Sequence, residues 1–456
     1  MLWLYQDSNG TARFVLLCLV QLTPFFFCLI RRKFDYIALV GFLHFVYYSI
    51  PKYSTVFFVE NQSSFDPISL QAIHEVTLCF ALQIASYYFF KTLFFHPKIQ
   101  TNGTSPLVTV TPRILIGLTG SILVFHVFTR WIPSAVLALA GPASNGTLLL
   151  LLACQCPGRE RLVFYCKAVV VAMALYSFVL SSSMLFLVEF GQAVLVISFL
   201  RENYRNIIFL MIFGVIGAMV QSVKGDYRTV VQAENTLDMT DRWELLVSLV
   251  QKQYFSDEAR MTPPPQDDDD NEAKKLDEST NALLTGFGRL GDDSLEKVLE
   301  KTPSEVPFWN GESYLSILYL FVPRAIWPGK PSRTLWHDFG MRYGYLNDDD
   351  YATSISVGYL AEGYMNYGYL GLYGVAILMS LLIALAEWGG MRLVGGYYYF
   401  IYAALMFPLS YYSGDLSSAV MNVVMLFSML LLLRRKILRL VANDAVFSGT
   451  LATDQV

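Results

Sequence analysis

The chain has 456 residues, 54% hydrophobic, 15% aromatic and only 15% charged, with a mean hydropathy of +0.44. A soluble domain carries roughly 25% charged residues, so this composition excludes an ordinary soluble globular protein and makes the bilayer the expected solvent. The net charge of −4 says little as a sum, because the charges are unevenly spread, and no nucleic-acid partner is expected.

A spanning helix needs about 20 mainly apolar residues, since lipid gives backbone groups no partner outside their own helix. In chain order the apolar runs are 13–30, 34–50, 69–95, 113–132, 134–154, 167–182, 184–200, 206–222, 366–387, 396–413 and 416–433. The fold class expected is all-α, a polytopic integral membrane helix bundle of about 11 spans with one large external loop. Thr11 to Ile30 reads as a retained first span rather than a cleaved signal. The six cysteines, Cys18, Cys28, Cys79, Cys154, Cys156 and Cys166, lie in or beside apolar runs, so no disulfide framework is expected. Cys154 and Cys156 lack a second His or Cys pair, and no metal or other cofactor is expected.

Lys and Arg stay on the cytoplasmic side of short loops. Arg31, Arg32 and Lys33 follow the first span, and Lys98 to Arg113 bracket the loop after the third. Arg159, Arg161 and Lys167 follow the fifth, Arg201 and Arg205 the seventh, Arg392 the ninth, and Arg434, Arg435, Lys436 and Arg439 the last. The opposite ends hold only Arg13, Lys52 and Arg130. The N-terminus is therefore expected outside and the C-terminus inside. This divides the chain into N-terminal spans (1–222), an external loop (223–365), C-terminal spans (366–435) and a cytoplasmic tail (436–456).

The loop holds 25 acidic and 14 basic residues. Its stretch Met261–Ser279, with Pro263–Pro265 and Asp267–Asp270, reads as a solvated linker. On either side "TDRWELLVSLVQKQY" (240–254) and "DDSLEKVLEKT" (292–302) read as short helices, the second capped by Asp292 or Asp293.

Against the acidic background, "FVPRAIWPGKPSRTLWHDFGMRYG" (321–344) gathers Arg324, Lys330, Arg333 and Arg342 with a single acid, Asp338. Pro323, Pro328 and Pro331 break any helix there, and Trp327 and Trp336 suit the membrane interface. Guanidinium forks at that depth fit phosphate oxygens, and Lys adds a compact point charge. The segment suits a lipid-linked phosphate or pyrophosphate; contact with anionic lipid head groups, or pairing with acids of the loop, remains the other reading.

"PRAIWPGKP" (323–331), a following Phe-Gly and "SVGYLAEGYMNYGYLGLYG" (356–374) resemble the C-terminal half of bacterial O-antigen and oligosaccharide repeat-unit polymerases, the Wzy type. "DRW" (241–243), "TPSEVPFWNGESY" (302–314) and the Arg333-x10-Gly344 spacing are also similar to that family. The resemblance implies a metal-independent glycosyltransferase of the bacterial inner membrane, with its active site facing the periplasm. It would transfer a growing glycan from undecaprenyl pyrophosphate to another lipid-linked repeat unit. Membrane lipid, lipid-linked oligosaccharide substrates, a chain-length regulator and a flippase are the partners implied. On this reading Arg324, Arg333 and Lys330 stabilise the departing pyrophosphate. Arg342, Arg289 and Arg242 contact phosphate or sugar. Glu362 leads as general base, ahead of His337, Asp338 and Glu189, with an ion pair to a loop arginine as its alternative role. Glu189 lies inside a predicted span, where an ionisable group invites a functional reading. His74, Glu75 and Asp415 fall near outer span ends, facing a shared cavity or water, and Trp309, Tyr314, Tyr343, Tyr345 and Tyr351 are read as exposed rings suited to sugars, with interfacial anchoring as the alternative for most of them. A ligase of the same fold or a precursor transporter are the alternatives.

Overall fold

The computed structural model describes residues 10–31, 35–59, 64–94, 108–128, 151–152, 154–181, 205–233, 238–255, 293–320, 327–330, 334–347, 354–394 and 414–424. Positions 148, 191, 194, 283–284, 291, 322, 350, 427–428 and 431 are described between them. The described chain is mostly helical. The predicted span 396–413, and nearly all of 134–154 and 184–200, lie outside the described residues.

The first apolar run folds as α1 (Thr11–Arg31). Its residues are apolar all round, yet Leu17, Phe25 and Cys28 are buried while Leu19, Phe26 and Ile30 stay exposed, Ile30 at 80%. Water would not tolerate that outer face at such length; lipid would. The next run gives α2 (Tyr36–His44), a wide π turn (Phe45–Ser49), α3 (Ile50–Ser54) and a second π turn (Thr55–Val59). Backbone angles at the junctions stay helical (His44 −62°, −39°; Thr55 −61°, −52°), so 36–59 is one continuous rod. Pro51 supplies no N–H to a regular ladder, and the ladder is relaxed beside it: Ile50 N–H reaches back five residues to the Phe45 carbonyl. The rod returns antiparallel along α1, with Phe25 stacked on Phe42 (4.9 Å) and Ser49 Oγ donating to Gln21 Oε1 (2.6 Å).

The centre of the core is a pair distant in sequence, α4 (Pro67–Phe94) and the last long helix (Tyr359–Val394). Gln71 Nε2 donates to the Tyr369 hydroxyl (2.7 Å), the Tyr373 hydroxyl to Glu75 (2.6 Å), Ser380 Oγ to the Gln83 carbonyl (2.7 Å) and the Tyr87 hydroxyl to Glu387 (2.6 Å). Partner numbers rise together along both helices, so the two run parallel, as the odd positions of their predicted spans require. At one end of the bundle Arg31, Lys91 and Arg392 collect; Lys91 pairs with Asp35 and with Glu387 (3.5 Å), and Arg392 lies over Trp388 (5.0 Å). At the other end Phe14, Tyr53 and Phe65 pack together (Phe14–Tyr53 5.4 Å), and Lys52 pairs with Glu296 from the loop.

Between these parts come β1 (Val108–Thr109), α5 (Pro112–Phe128), β2 (Cys154–Gln155) and α6 (Glu160–Ser181), with β1 and β2 paired in parallel and α5 packed on α6. The next span is longer than predicted: α7 runs from Arg205 to Ala233 and turns into α8 (Met239–Tyr254), which an Asp238–Asp241 capping box opens. Val223, Tyr227 and Leu246 form a small core of their own between α7 and α8. The loop then supplies α9 (Ser294–Lys301), α10 (Glu312–Leu320) and α11 (Leu335–Arg342).

Among the described residues, three helices are long and apolar enough to cross a membrane: Thr11–Arg31, Pro67–Phe94 and Tyr359–Gly390. The last is two helices rather than one. Tyr367 (φ −140°, ψ 21°) and Gly368 (φ 61°, ψ −144°) leave the helical region, and the positive φ is one glycine adopts without strain. We call 359–366 α12a and 369–394 α12b. In a straight helix Gly363 and Gly371 would lie about 12 Å apart along the axis. Here a Cβ on Gly363 would meet the Gly371 carbonyl oxygen at 2.7 Å, and one on Gly371 the Gly363 oxygen at 2.0 Å. α12a therefore folds back against the start of α12b, and the crossing segment begins at 369, close to the predicted span start at 366. At about 1.5 Å per residue, 369–390 is about 33 Å long, enough for a hydrocarbon core.

Candidate functional site

α12a (YLAEGYMN) is buried on every side, although it carries a carboxylate and a carboxamide. Burying an ionised carboxylate costs several kcal/mol unless hydrogen bonds and opposite charge offset it, so its surroundings must be polar. They are. Glu362, fully buried, accepts the Leu416 N–H on Oε2 at 2.7 Å. That N–H belongs to the first turn of a helix over 416–424, α13, whose positive dipole end favours an anion. One turn after Glu362, Asn366 donates from Nδ2 to Ser313 Oγ and to the Glu362 carbonyl, both at 2.8 Å, and accepts the Gly311 N–H on Oδ1 at 2.8 Å. Trp309 N–H takes the Met365 carbonyl (3.0 Å), which satisfies the C-terminal end of α12a.

Asp415 caps α13. It accepts from Ser418 N–H (2.8 Å) and Ser418 Oγ (3.0 Å), and its second oxygen also takes the ring N–H of Trp336 at 3.0 Å. Ser316 Oγ donates to Ser417 Oγ at 3.1 Å. Thus α10, α11, α12a and the start of α13 converge on one buried polar cluster at the loop end of the bundle. Two loop helices, α10 and α11, are tied directly to the start of α13, which lies in the apolar run 416–433.

Among the predicted site residues, Glu362 sits at the centre of this cluster. Arg342 lies on its outer side, bonded through both terminal nitrogens to Glu312 (3.2 and 3.3 Å) and stacked over the Trp309 ring at 4.0 Å. His337 and Asp338 share α11 with Trp336; His337 Nε2 meets the Asp350 carbonyl at 3.0 Å, and Thr334 Oγ1 donates to Asp338. Lys330 closes a turn with Trp327 and sends Nζ to the Val322 carbonyl at 3.0 Å. Arg242 is placed apart, on the first turn of α8, in the α7–α8 hairpin with its own core. Arg324, Arg333, Arg289 and Glu189 lie outside the described residues.

Among the described residues, no ring expected to be exposed for sugars is fully exposed. Trp309 and Tyr343 are buried, at 6% and 1%, because α9 and α11 build a core of Leu295, Val298, Phe339 and these rings. Burial raises the pKa of the Tyr343 phenol, and its hydroxyl is held by Thr302 Oγ1 at 2.7 Å. Tyr345 donates to Asp293 (2.9 Å), Tyr314 is half-buried, and Tyr351 lies outside the described residues. Glu75 is buried under the Tyr373 hydroxyl, while His74 beside it is exposed.

Sequence reasoning left Asn366, Ser313 and Trp336 out of the site and gave Asp415 no role. Asp415-Leu-Ser-Ser opening an apolar run is an N-cap signature, and Asn366-Tyr-Gly marks the break after α12a. Both signals were legible, but neither tells which carboxylate the new helix end will face. Compared with protein-family models, curated proteins and solved structures, the chain gives no match.

Proposed function

We propose that the chain is a multi-pass membrane glycosyltransferase, with about 11 spans, that polymerises oligosaccharide repeat units carried on undecaprenyl pyrophosphate. The observation that carries this reading is Glu362: a fully buried carboxylate seated on a helix N-terminus, in the cluster where α10 and α11 meet α12a, with Arg324, Lys330 and Arg333 lying between α10 and α11 in the sequence. Transfer to a sugar hydroxyl is helped by such a group.

On this proposal the acceptor hydroxyl oxygen attacks the anomeric carbon of the growing glycan. The bond from that carbon to the pyrophosphate oxygen breaks, and undecaprenyl pyrophosphate leaves. The hydroxyl proton passes to the Glu362 carboxylate, while Arg324, Lys330 and Arg333 meet the charge that grows on the leaving group. On this proposal the site faces the periplasmic side of the bacterial inner membrane; the basic residues of the short loops, including Arg31, Lys91 and Arg392 at the opposite bundle end, support that side for the loop. A ligase that moves finished polymer to another acceptor would use the same groups.

A carrier of polysaccharide precursors is the second reading, and the broken helix at 367–368 favours it, because transporters bind substrate at such breaks near the bilayer midplane. The break here sits at the start of the segment 369–390 rather than in its middle, which favours the enzyme. The glycan profile of a host lacking the chain separates these readings. A ladder collapsed to one repeat unit marks a polymerase, unattached long polymer marks a ligase, and loss of every repeat unit outside the cell marks a carrier. An unchanged ladder would overturn the proposal.

A further inference from the structure

Tyr314 follows Ser313 on α10, and its ring is fixed in place. It stacks on Tyr367 with centroids 6.4 Å apart and planes at 29°, and its backbone N–H bonds the Gly311 carbonyl at 3.0 Å. The fixed ring sets its hydroxyl in the polar cluster, within electrostatic reach of Glu362 and Tyr367 and away from solvent. Among the described residues no group completes a hydrogen bond to that hydroxyl. Asn366 is the neighbour near enough to donate to that oxygen, but its two Nδ2 hydrogens go to Ser313 Oγ and the Glu362 carbonyl, both at 2.8 Å. Burial, and then the charge of Glu362, holds the phenol well above its ordinary pKa, so the hydroxyl keeps its proton and can donate it to a hydrogen bond.

A buried hydroxyl without a partner is unfavourable and rare in a folded protein. We propose that the Tyr314 hydroxyl donates a hydrogen bond to a hydroxyl oxygen of the acceptor sugar and so orients that sugar against Glu362. A sugar hydroxyl suits this place because it accepts from the phenol while donating its own hydrogen to a carboxylate. A phosphate oxygen beside Glu362 would meet like charge instead. The inference rests on the glycosyltransferase reading above and adds to it the residue that holds the acceptor.

The test is Tyr314→Phe in purified protein reconstituted into vesicles with lipid-linked repeat units, with thermal unfolding measured on the same preparation. The Phe ring keeps the stack on Tyr367 and drops only the partnerless oxygen. The expected result is an unfolding midpoint equal to or above that of the wild type, with KM for the acceptor repeat unit raised about tenfold, the factor that loss of one hydrogen bond gives. A lowered midpoint would show that the hydroxyl is bonded within the protein, and would overturn the inference. Wild-type kinetics at an unchanged midpoint would overturn it as well, while leaving the polymerase standing. A wild-type protein that makes no polymer in these vesicles, although Tyr314→Phe is fully stable, would sink the glycosyltransferase reading and the acceptor role together.

Discussion

Asp415→Ala removes one side chain that, among the described residues, holds three donors: Ser418 N–H, Ser418 Oγ–H and Trp336 Nε1–H. Loss of the N-cap of α13 costs about 1 kcal/mol. Leaving the Trp336 N–H without its acceptor adds about 1 kcal/mol, the low end of the range, because that residue is 37% exposed and water reaches part of it. The total, about 2 kcal/mol, is about a 30-fold change in the folded-to-unfolded ratio. Trp336→Phe should cost about 1 kcal/mol from the lost donor, and the packing lost with the smaller phenyl ring is shared by the double variant and cancels from the cycle. Both variants remove the same Trp336–Asp415 bond, so, apart from that packing, the double variant should cost about 2 kcal/mol rather than the sum, a coupling of about 1 kcal/mol. Denaturant unfolding of the four proteins in detergent measures this cycle. Additivity within about 0.3 kcal/mol would refute the bond between α11 and α13, and with it the argument that the loop is tied to α13 beside Glu362.

Gly363→Ala should destabilise by about 1–3 kcal/mol, because the new methyl meets a backbone carbonyl at 2.7 Å, and Gly371→Ala, at 2.0 Å, should cost more; equal unfolding midpoints for wild type and variants would mean that α12a does not fold back on α12b. Glu296 is raised above its ordinary pKa, chiefly by burial, with Lys52 opposing. Its folded-state pKa therefore exceeds its unfolded one, so the stability it contributes is complete below the ordinary glutamate value and is lost as pH rises through the raised value. Glu296→Gln should flatten that loss in a pH series of unfolding midpoints, and an unaltered pH profile would remove Glu296 as its source. Arg324→Ala should abolish long polymer with protein level and membrane insertion intact, whereas a ladder of normal length would remove Arg324 from the site.

The helices were legible because their signals are local. Asp238 and Asp241 announce α8, and the apolar positions Leu295, Val298 and Leu299 give α9 its buried face. The apolar run puts the start of the crossing segment at 366, close to Gly368, where the chain turns. What stayed hidden is pairing across distance. Nothing near Glu75 or Tyr87 tells that their partners are Tyr373 and Glu387, about 300 residues away, because parallel packing of two apolar helices leaves no periodic trace beyond the apolar face itself. Trp336 was legible as an interfacial ring, but its ring N–H had no visible destination until α13 brought Asp415. Arg342 looked like a phosphate ligand because sequence shows charge and not its neighbour; Glu312, thirty residues back, takes both its terminal nitrogens. Trp309 and Tyr343 were misread as exposed for a related reason: the loop holds enough apolar residues in α9 and α11 to pack a core, which its acidic composition masked.

The central claim is that the Glu362 carboxylate takes a proton from a sugar hydroxyl. Its most direct test is the rate of polymer formation from lipid-linked repeat units by purified protein in vesicles, wild type against Glu362→Gln. The account predicts repeat-unit polymer from the wild type, and from the variant a turnover lowered by about 100-fold or more while donor binding is kept. Equal turnover by the two proteins would contradict it.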